Sequence, residues 1–299
     1  MGMFSNYDRV GPGVSKNPDD KLPIFKFFEI YFSHFSKLII LNLYFIVSLL
    51  PILLIMFVEN LIQPETPLYY VVFYTAFILL GSLIGPASCG FMKILRNISC
   101  RRPVFMWHDY IGAVKSNFKQ GILIGLIDMV FTVLMSMALP MYYNMSAQNS
   151  IFYIPFIICL VSAVLFLMMH SYIYLLMVST NLGLWKILKN SFFLMAIDIK
   201  TSVINLVITV VITALAVIFF PYSAFLLVVI PSFLGLIYAF NCFPNIRKYV
   251  IKPWYDARGE EAPEVGAIVD IDSETLFKDT PETEIPQEIQ KPGRNKKIK

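Results

Sequence analysis

Two ionisable side chains stand inside long apolar stretches of this 299-residue chain, and they are its best candidates for chemistry. Asp128 lies in the apolar run 121–142 and His170 in the run 152–178. Apolar runs of this length could cross a membrane as helices, and an unpaired charge inside a membrane is costly. Ionisable residues in such runs therefore suggest a functional site by default. At a helical rise of about 1.5 Å per residue, Asp128 lies about 13 Å along its helix from Lys119. His170 lies at a similar depth on the adjacent run. If they meet, the pair would titrate near neutrality and could carry or sense protons.

Two amides, Asn42 and Asn205, lie nearer to the basic ends of their own apolar runs and would form a polar layer there. The simpler interpretation of all four polar residues is that they join helices by hydrogen bonds, each contributing about 0.6–2 kcal/mol. The sequence favours this interpretation over proton chemistry.

Small residues and a proline form a second unusual feature, which includes Gly85, Pro86, Ser88 and Gly90. Proline has no amide hydrogen, so the helix is predicted to break or kink here and expose backbone groups. Broken helices often line substrate sites in transporters. Small residues also allow helices to pack closely, which is the commoner explanation.

Other chemistry has little support in the sequence. The four cysteines lack paired metal-ligand spacing, and the nucleotide-binding and hydrolase motifs are absent. His108 and Asp109 are the only adjacent acid–base pair in the inner loops, and adjacent residues rarely face together on a helix. The sequence therefore predicts neither an enzyme nor a cofactor, and it offers no sign of nucleic-acid binding.

Six apolar runs organise the chain, which is 57% hydrophobic. Each run has about 18 or more residues, enough to cross a hydrocarbon core of about 30 Å as a helix. The sequence predicts an all-α integral membrane protein with six transmembrane helices, although a fused fifth and sixth run or a re-entrant segment would reduce the number. The predicted spans are residues 38–58, 68–89, 121–142, 152–178, 203–220 and 222–241.

Lysine and arginine occur only before the first span, between alternate pairs of spans and after the sixth. Cytoplasmic loops carry the excess of positive charge, so both termini are predicted to be cytoplasmic in a protein of the cell membrane. The membrane domain is residues 24–255, after a flexible segment 1–23. The tail 256–299 is acidic, then basic, and is predicted to be disordered.

A repeat is also suggested by Lys37, Lys119 and Lys200, which each precede an outward-going span at separations of 82 and 81 residues. Upstream of each lysine, a segment mixes aromatic with charged residues, at 24–36, 106–118 and 187–199. Each segment is predicted to lie as an amphipathic helix along the inner leaflet. The chain would then contain three repeated helical hairpins, unless charge at each cytoplasmic entry explains the spacing by itself.

A family resemblance rests on several short motifs between residues 41 and 120. They are Leu41-Asn42-Leu43, Ser48-Leu49-Leu50-Pro51-Ile52, Gly85-Pro86-Ala87-Ser88 with Gly90, Ile94-Leu95-Arg96-Asn97, Trp107, Asp109, and Lys115-x-Asn117-Phe118-Lys119-Gln120. With these, the chain resembles the YesL-like family of bacterial integral membrane proteins over about residues 25–252. It departs from the family in an extra hairpin before Gly85 and in its tail. The family has no established substrate or catalytic residues.

The resemblance implies an accessory or regulatory component associated with bacterial carbohydrate uptake, because members are encoded beside binding-protein-dependent carbohydrate transporters. Its predicted docking surface is the cytoplasmic loop, with Arg96, Trp107, Asp109, Lys115, Asn117, Phe118 and Lys119. The alternative is a secondary transporter that uses Asp128 and His170 for proton coupling. Oligomeric state is left open.

Overall fold

The computed structural model describes residues 22–61 and 66–262, and this part of the chain is all-helical. Most of the predicted N-terminal segment and tail, residues 1–21 and 263–299, lies outside the described residues. The helices are α1 Pro23–Ser33, α2 Phe35–Leu61, α3 Pro67–Gly81, α4 Ile84–Ser99, α5 Met106–Ser116, α6 Phe118–Ser146, α7 Tyr153–Ser179, α8 Leu184–Ile197, α9 Ile199–Ile218, α10 Ile230–Ile246 and α11 Lys252–Asp256. Short 3-10 helices cover Ser150–Phe152 and Tyr222–Val228, and a π-helical turn covers Arg247–Ile251.

Five helical segments within the described ranges are long and apolar enough to cross a membrane, which indicates a membrane protein. They are Phe35–Glu59, Leu68–Ser99, Phe118–Ser146, Ser150–Ser179 and Ile199–Ile218. The sixth predicted span, 222–241, differs because its first part is a 3-10 helix and α10 then has 17 residues. Pro231 lies in the first turn of α10, where a missing amide hydrogen is tolerated. At 1.5 Å per residue α10 is about 25 Å long, shorter than the hydrocarbon core.

Three short helices each lead into a long one through a single residue. His34 joins α1 to α2, Asn117 joins α5 to α6, and Asp198 joins α8 to α9. Their φ angles are −117°, −105° and −115°, outside the helical range, so each junction ends one helix before the next begins. The short helices lie on the three segments for which the sequence predicts interfacial helices.

Hydrogen bonds bring the charge-bearing helix ends together on one side of the bundle, which we call the basic end. Arg96 near the end of α4 donates to the carbonyl of Val178 at the end of α7, at 2.8 Å. Gln120 at the start of α6 donates to the carbonyl of Leu182, which follows α7, at 3.2 Å. Asn245 near the end of α10 donates to Asp198 at the start of α9. The alternation of helix directions therefore agrees with the charge pattern.

The packed core lies in the half of the bundle nearest the basic end. Fully buried side chains there include Leu38, Leu41, Ile94, Leu95, Ile124, Tyr172, Leu175, Leu176 and Leu236. The other halves of the long helices are apolar yet exposed, as at Leu54 and Phe57 of α2, Ile157 and Ile158 of α7, and Val210 and Val211 of α9. Exposed apolar surface of this extent is suited to contact with lipid.

Candidate functional site: a polar cluster between α4, α6 and α7

The helix break predicted near Pro86 occurs just before it. α3 ends at Gly81, Ser82 and Leu83 form a turn, and α4 begins at Ile84. Pro86 then lies in the first turn of α4, where its missing amide hydrogen costs nothing. The break is closed by local hydrogen bonds, since the amide of Gly85 donates to the carbonyl of Ser82 at 3.1 Å.

The glycines at the break allow α4 and α6 to approach each other closely. A Cβ atom added to Gly85 would lie 1.9 Å from the carbonyl oxygen of Gly121, and one added to Gly125 would lie 2.3 Å from that of Ser82. Gly90 similarly faces α5, where an added Cβ atom would lie 2.9 Å from Tyr110. Close packing of small residues, the commoner of the two explanations of this motif, is what the structure shows at Gly85 and Gly90.

Asp128 meets both its predicted neighbour and a residue that the sequence did not single out. Asp128 lies on α6, and its Oδ2 accepts a hydrogen bond from the hydroxyl of Tyr174 on α7 at 2.7 Å. His170, one helical turn before Tyr174, places Nδ1 3.7 Å from Asp128 Oδ1. Ser88 of α4 interacts with the same Tyr174 hydroxyl. We call Ser88, Asp128, His170 and Tyr174 the polar cluster.

Two atoms of the polar cluster are left without a hydrogen bond. Asp128 Oδ1 and His170 Nδ1 are both buried and have no partner at hydrogen-bonding distance, although they face each other across 3.7 Å. The Asp128 side chain is 12% exposed and that of His170 is 35% exposed, so one edge of the imidazole remains open. A proton on the imidazole would satisfy both atoms after a small approach. The geometry can therefore hold a proton between a carboxylate and an imidazole.

Asn42 and Asn205 do not join this cluster. Asn42 donates to the carbonyl of Val228 at 2.6 Å and to Ser232 at 2.8 Å. Asn205 donates to Cys242 at 3.1 Å and accepts a hydrogen bond from Asn241 at 2.8 Å. All these partners lie on α10 or just before it, so the two amides link α2 and α9 to α10. The two amides contact different parts of this region, Asn42 at Val228 and Ser232 and Asn205 at Asn241 and Cys242. The structure therefore does not join them in the single polar layer predicted from the sequence.

Two residues of the predicted docking surface are buried, which corrects the sequence-based expectation for them. The guanidinium of Arg96 donates to the carbonyl of Val178 and to Asn97 Oδ1, and it lies 5.9 Å from the centre of the Phe243 ring. Asp109 accepts a hydrogen bond from the amide of Phe105 at 2.9 Å, which caps the start of α5. Both side chains are occupied with structural contacts and are not available to a partner.

The other residues of that predicted surface lie on or beside α5. Trp107 is 64% exposed and contacts the ring of Tyr44 edge-on. Lys115, Phe118 and Lys119 are exposed, and Asn117 is half-buried, with its side-chain amide donating to the carbonyl of Ala113.

Tyr110 holds α5 from its buried side. It packs against Gly90, and burial raises the pKa of its hydroxyl to about 12, with a smaller contribution from Cys89. The phenol is therefore neutral at physiological pH. Because its inner side is buried, α5 presents only its outer face.

The cysteines and the acidic side chains do not form a metal centre in the part of the chain that the structure describes, where no group of three or more suitable ligands occurs. Cys89, Cys100 and Cys242 are buried free thiols.

The fold and the polar cluster together define a helical protein suited to a membrane, with ionisable groups inside its bundle. No protein-family model, curated protein or solved structure matches the chain. The resemblance to the YesL-like family therefore stays a prediction.

Proposed function

We propose that this protein is an accessory or regulatory component associated with bacterial carbohydrate uptake, as its resemblance to the YesL-like family suggests. It would reside in the cell membrane with six spans and cytoplasmic termini, α10 and the preceding 3-10 helix together forming the sixth. Three helical hairpins, each preceded by an interfacial helix, would make up the membrane domain. The one-residue junctions at His34, Asn117 and Asp198 support this arrangement, because they recur at intervals of 83 and 81 residues.

The docking proposal depends on α5 having one side buried against the bundle and the other side exposed. Its inner side, with Tyr110 and Ala113, is buried against the bundle, whereas Trp107 and His108 are exposed, as is Phe105 immediately before the helix. We call these three residues the α5 outer face. Exposed aromatic side chains on a helix that is held in place suit a protein interface, because little conformational freedom is lost on binding.

Affinity purification of the tagged full-length protein from its native bacterium, in mild detergent, tests this proposal. Mass spectrometry would quantify subunits of a binding-protein-dependent carbohydrate transporter. We expect them at abundance comparable to the protein itself, and at least tenfold less in the double variant Phe105→Ala/Trp107→Ala.

The matched control is Trp185→Ala, because Trp185 is 77% exposed on α8 at the same end of the bundle. This variant should retain the transporter subunits. Recovery of the protein alone, or equal loss in both variants, would contradict docking through α5.

The second candidate function is proton-coupled secondary transport, and the polar cluster favours it. The facing Asp128 Oδ1 and His170 Nδ1, neither of which has a hydrogen-bond partner, support this candidate, because ionisable residues inside membrane helices often form proton relays. In this function, protonation of Asp128 would accompany movement of the helices that hold it.

Uptake of radiolabelled sugars into inverted and right-side-out vesicles, with and without a pH gradient, tests the second candidate. Asp128→Asn keeps the shape and the acceptor for Tyr174 but cannot ionise, so it should abolish gradient-driven uptake. Phe105→Ala/Trp107→Ala should leave such uptake unchanged. If neither variant alters an uptake that the wild type shows, the polar cluster is structural.

A further inference from the structure

A cavity of about 650 Å³ opens where the α5–α6 junction meets the connection between α7 and α8. It is lined by the continuous segment 115–120 on one side and by Thr180 and Asn181 on the other. The hydrogen bond from Gln120 to the carbonyl of Leu182 joins its two sides. We call it the junction cavity.

The lining of the junction cavity favours an anion. Lys115 and Lys119 contribute two positive charges, and no lining residue is acidic. Hydroxyl and amide groups of residues such as Ser116 and Asn181 add further polar atoms at its wall. Ammonium groups form strong charge-assisted hydrogen bonds with phosphate oxygens, so a phosphate group suits this lining better than a neutral ligand.

The position of the junction cavity indicates where that phosphate comes from. α6 begins at Phe118 and α7 ends at Ser179, and both helices are candidate membrane spans. In the membrane arrangement of the proposed function, on which this step rests, a cavity at the ends of these two helices would lie at the depth of lipid headgroups. Phe118 is also an exposed aromatic side chain at this level, which suits contact with the apolar part of a lipid.

We propose that the junction cavity binds the phosphate of an anionic lipid headgroup, held between Lys115 and Lys119. Basic pockets between membrane helices on the cytoplasmic side are suited to such headgroups. The proposal does not require the α5 outer face to bind a partner, so failure of either one leaves the other standing.

Thermal unfolding of the purified full-length protein in detergent tests this site, with phosphatidylglycerol, phosphatidylcholine and inorganic phosphate as separate titrants. We expect phosphatidylglycerol to raise the Tm at concentrations where the other two do not. Each lysine near an anionic headgroup contributes roughly fivefold to affinity, so Lys115→Gln/Lys119→Gln should weaken apparent binding of phosphatidylglycerol by roughly 30-fold.

Two further variants make the result specific. Lys186→Gln/Lys189→Gln removes equal charge from α8, outside the junction cavity, and should change the apparent affinity by less than about twofold. Lys115→Arg/Lys119→Arg keeps the charge and should keep binding. Equal shifts with phosphatidylglycerol and phosphatidylcholine, equal losses in the two glutamine variants, or loss in the arginine variant would overturn the proposal. An equal shift with inorganic phosphate would assign the cavity to a free anion instead of lipid.

Discussion

Tyr174 joins α7 to α6 through the buried hydrogen bond from its hydroxyl to Asp128. Replacement of Tyr174 by phenylalanine should destabilise the protein by about 1–3 kcal/mol, because a buried carboxylate oxygen loses its donor while the ring is kept. Thermal unfolding in detergent would measure the effect as a lower Tm. Tyr143→Phe is the control, because Tyr143 is exposed on α6, and it should leave the Tm unchanged. Equal Tm values for wild type and Tyr174→Phe would contradict a stabilising role of this hydrogen bond.

The same residue shows what could and could not be predicted from the sequence. Asp128 and His170 were identifiable because charge inside an apolar run is unusual, and their separation along the chain placed them at similar depths. Tyr174 gave no comparable signal, since tyrosine is common in apolar helices. Its spacing of four residues from His170 puts the two side chains on one helix face, and only the packing of α6 against α7 shows what they meet.

For Arg96, by contrast, the sequence-based expectation of an exposed docking residue was wrong. Its position among other cations suggested a surface charge, yet its guanidinium is buried against the end of α7. A cationic loop residue and a cation that ties two helix ends look alike in sequence, because the carbonyl that receives the hydrogen bond lies 82 residues away.

Asp198 gives a pH-dependent prediction. Partial burial would raise its pKa, but hydrogen bonds from Thr201 and Asn245 and the charge of Lys200 outweigh this effect, so the pKa lies below its ordinary value of 3.8. A lowered pKa in the folded state stabilises the fold above the unfolded pKa, and this contribution disappears as the pH falls through the folded value.

The stability difference between wild type and Asp198→Asn should therefore narrow on acidification. We expect a lower Tm for the variant at pH 7 and a shrinking gap below about pH 4. A gap that stays constant over this range would show that Asp198 acts through shape and not through charge.

At the scale of the elements, the three short helices were predictable because each of their segments mixes aromatic with charged residues just before a long apolar run. It was less successful with the last apolar run, where composition alone suggested one long span. A new helix, α10, begins there at Ile230 with Pro231 in its first turn, and Tyr222–Val228 form a 3-10 helix before it. The composition of an apolar run shows only that the segment is compatible with lipid. Where a helix begins depends on the backbone hydrogen bonds, which composition does not show.

The contact between α4 and α6 can be tested through its glycines. Gly85→Ala places a Cβ atom against the carbonyl of Gly121, so the helices must separate, at a cost of about 1–3 kcal/mol. We expect a lower Tm in detergent. Gly112→Ala is the matched control, because its added Cβ meets nothing within 4 Å and alanine favours the helix. Similar Tm values for the two variants would contradict close packing as the role of Gly85.

At the scale of the whole molecule, packing and charge are concentrated at the same end. The basic end contains most of the buried side chains, the polar cluster and the junction cavity, whereas the opposite halves of the long helices expose apolar surface. The charge pattern predicted which helix ends lie together. It could not predict that the dense packing would also be there.

Labelling of introduced cysteines would test the orientation of the bundle. In a Cys159→Ala background, where the remaining native cysteines are buried, Gln148→Cys should react in intact cells with a maleimide that cannot cross the membrane. Asn181→Cys should react only after the cells are permeabilised. The reverse pattern would invert the proposed topology, and labelling of both sites in intact cells would exclude it.

The hydrogen bond from Asn42 to the carbonyl of Val228 also has a consequence for biosynthesis. Its two residues are separated by 186 positions in the chain. At a synthesis rate of about 5–20 residues per second, the Asn42 side chain enters the membrane roughly 10–40 s before its partner is made. During this interval α2 would carry an unsatisfied amide donor in the bilayer, a polar group that the insertion machinery or a membrane chaperone could bind. Synthesis of the 3-10 helix that contains Val228 would then end this exposure.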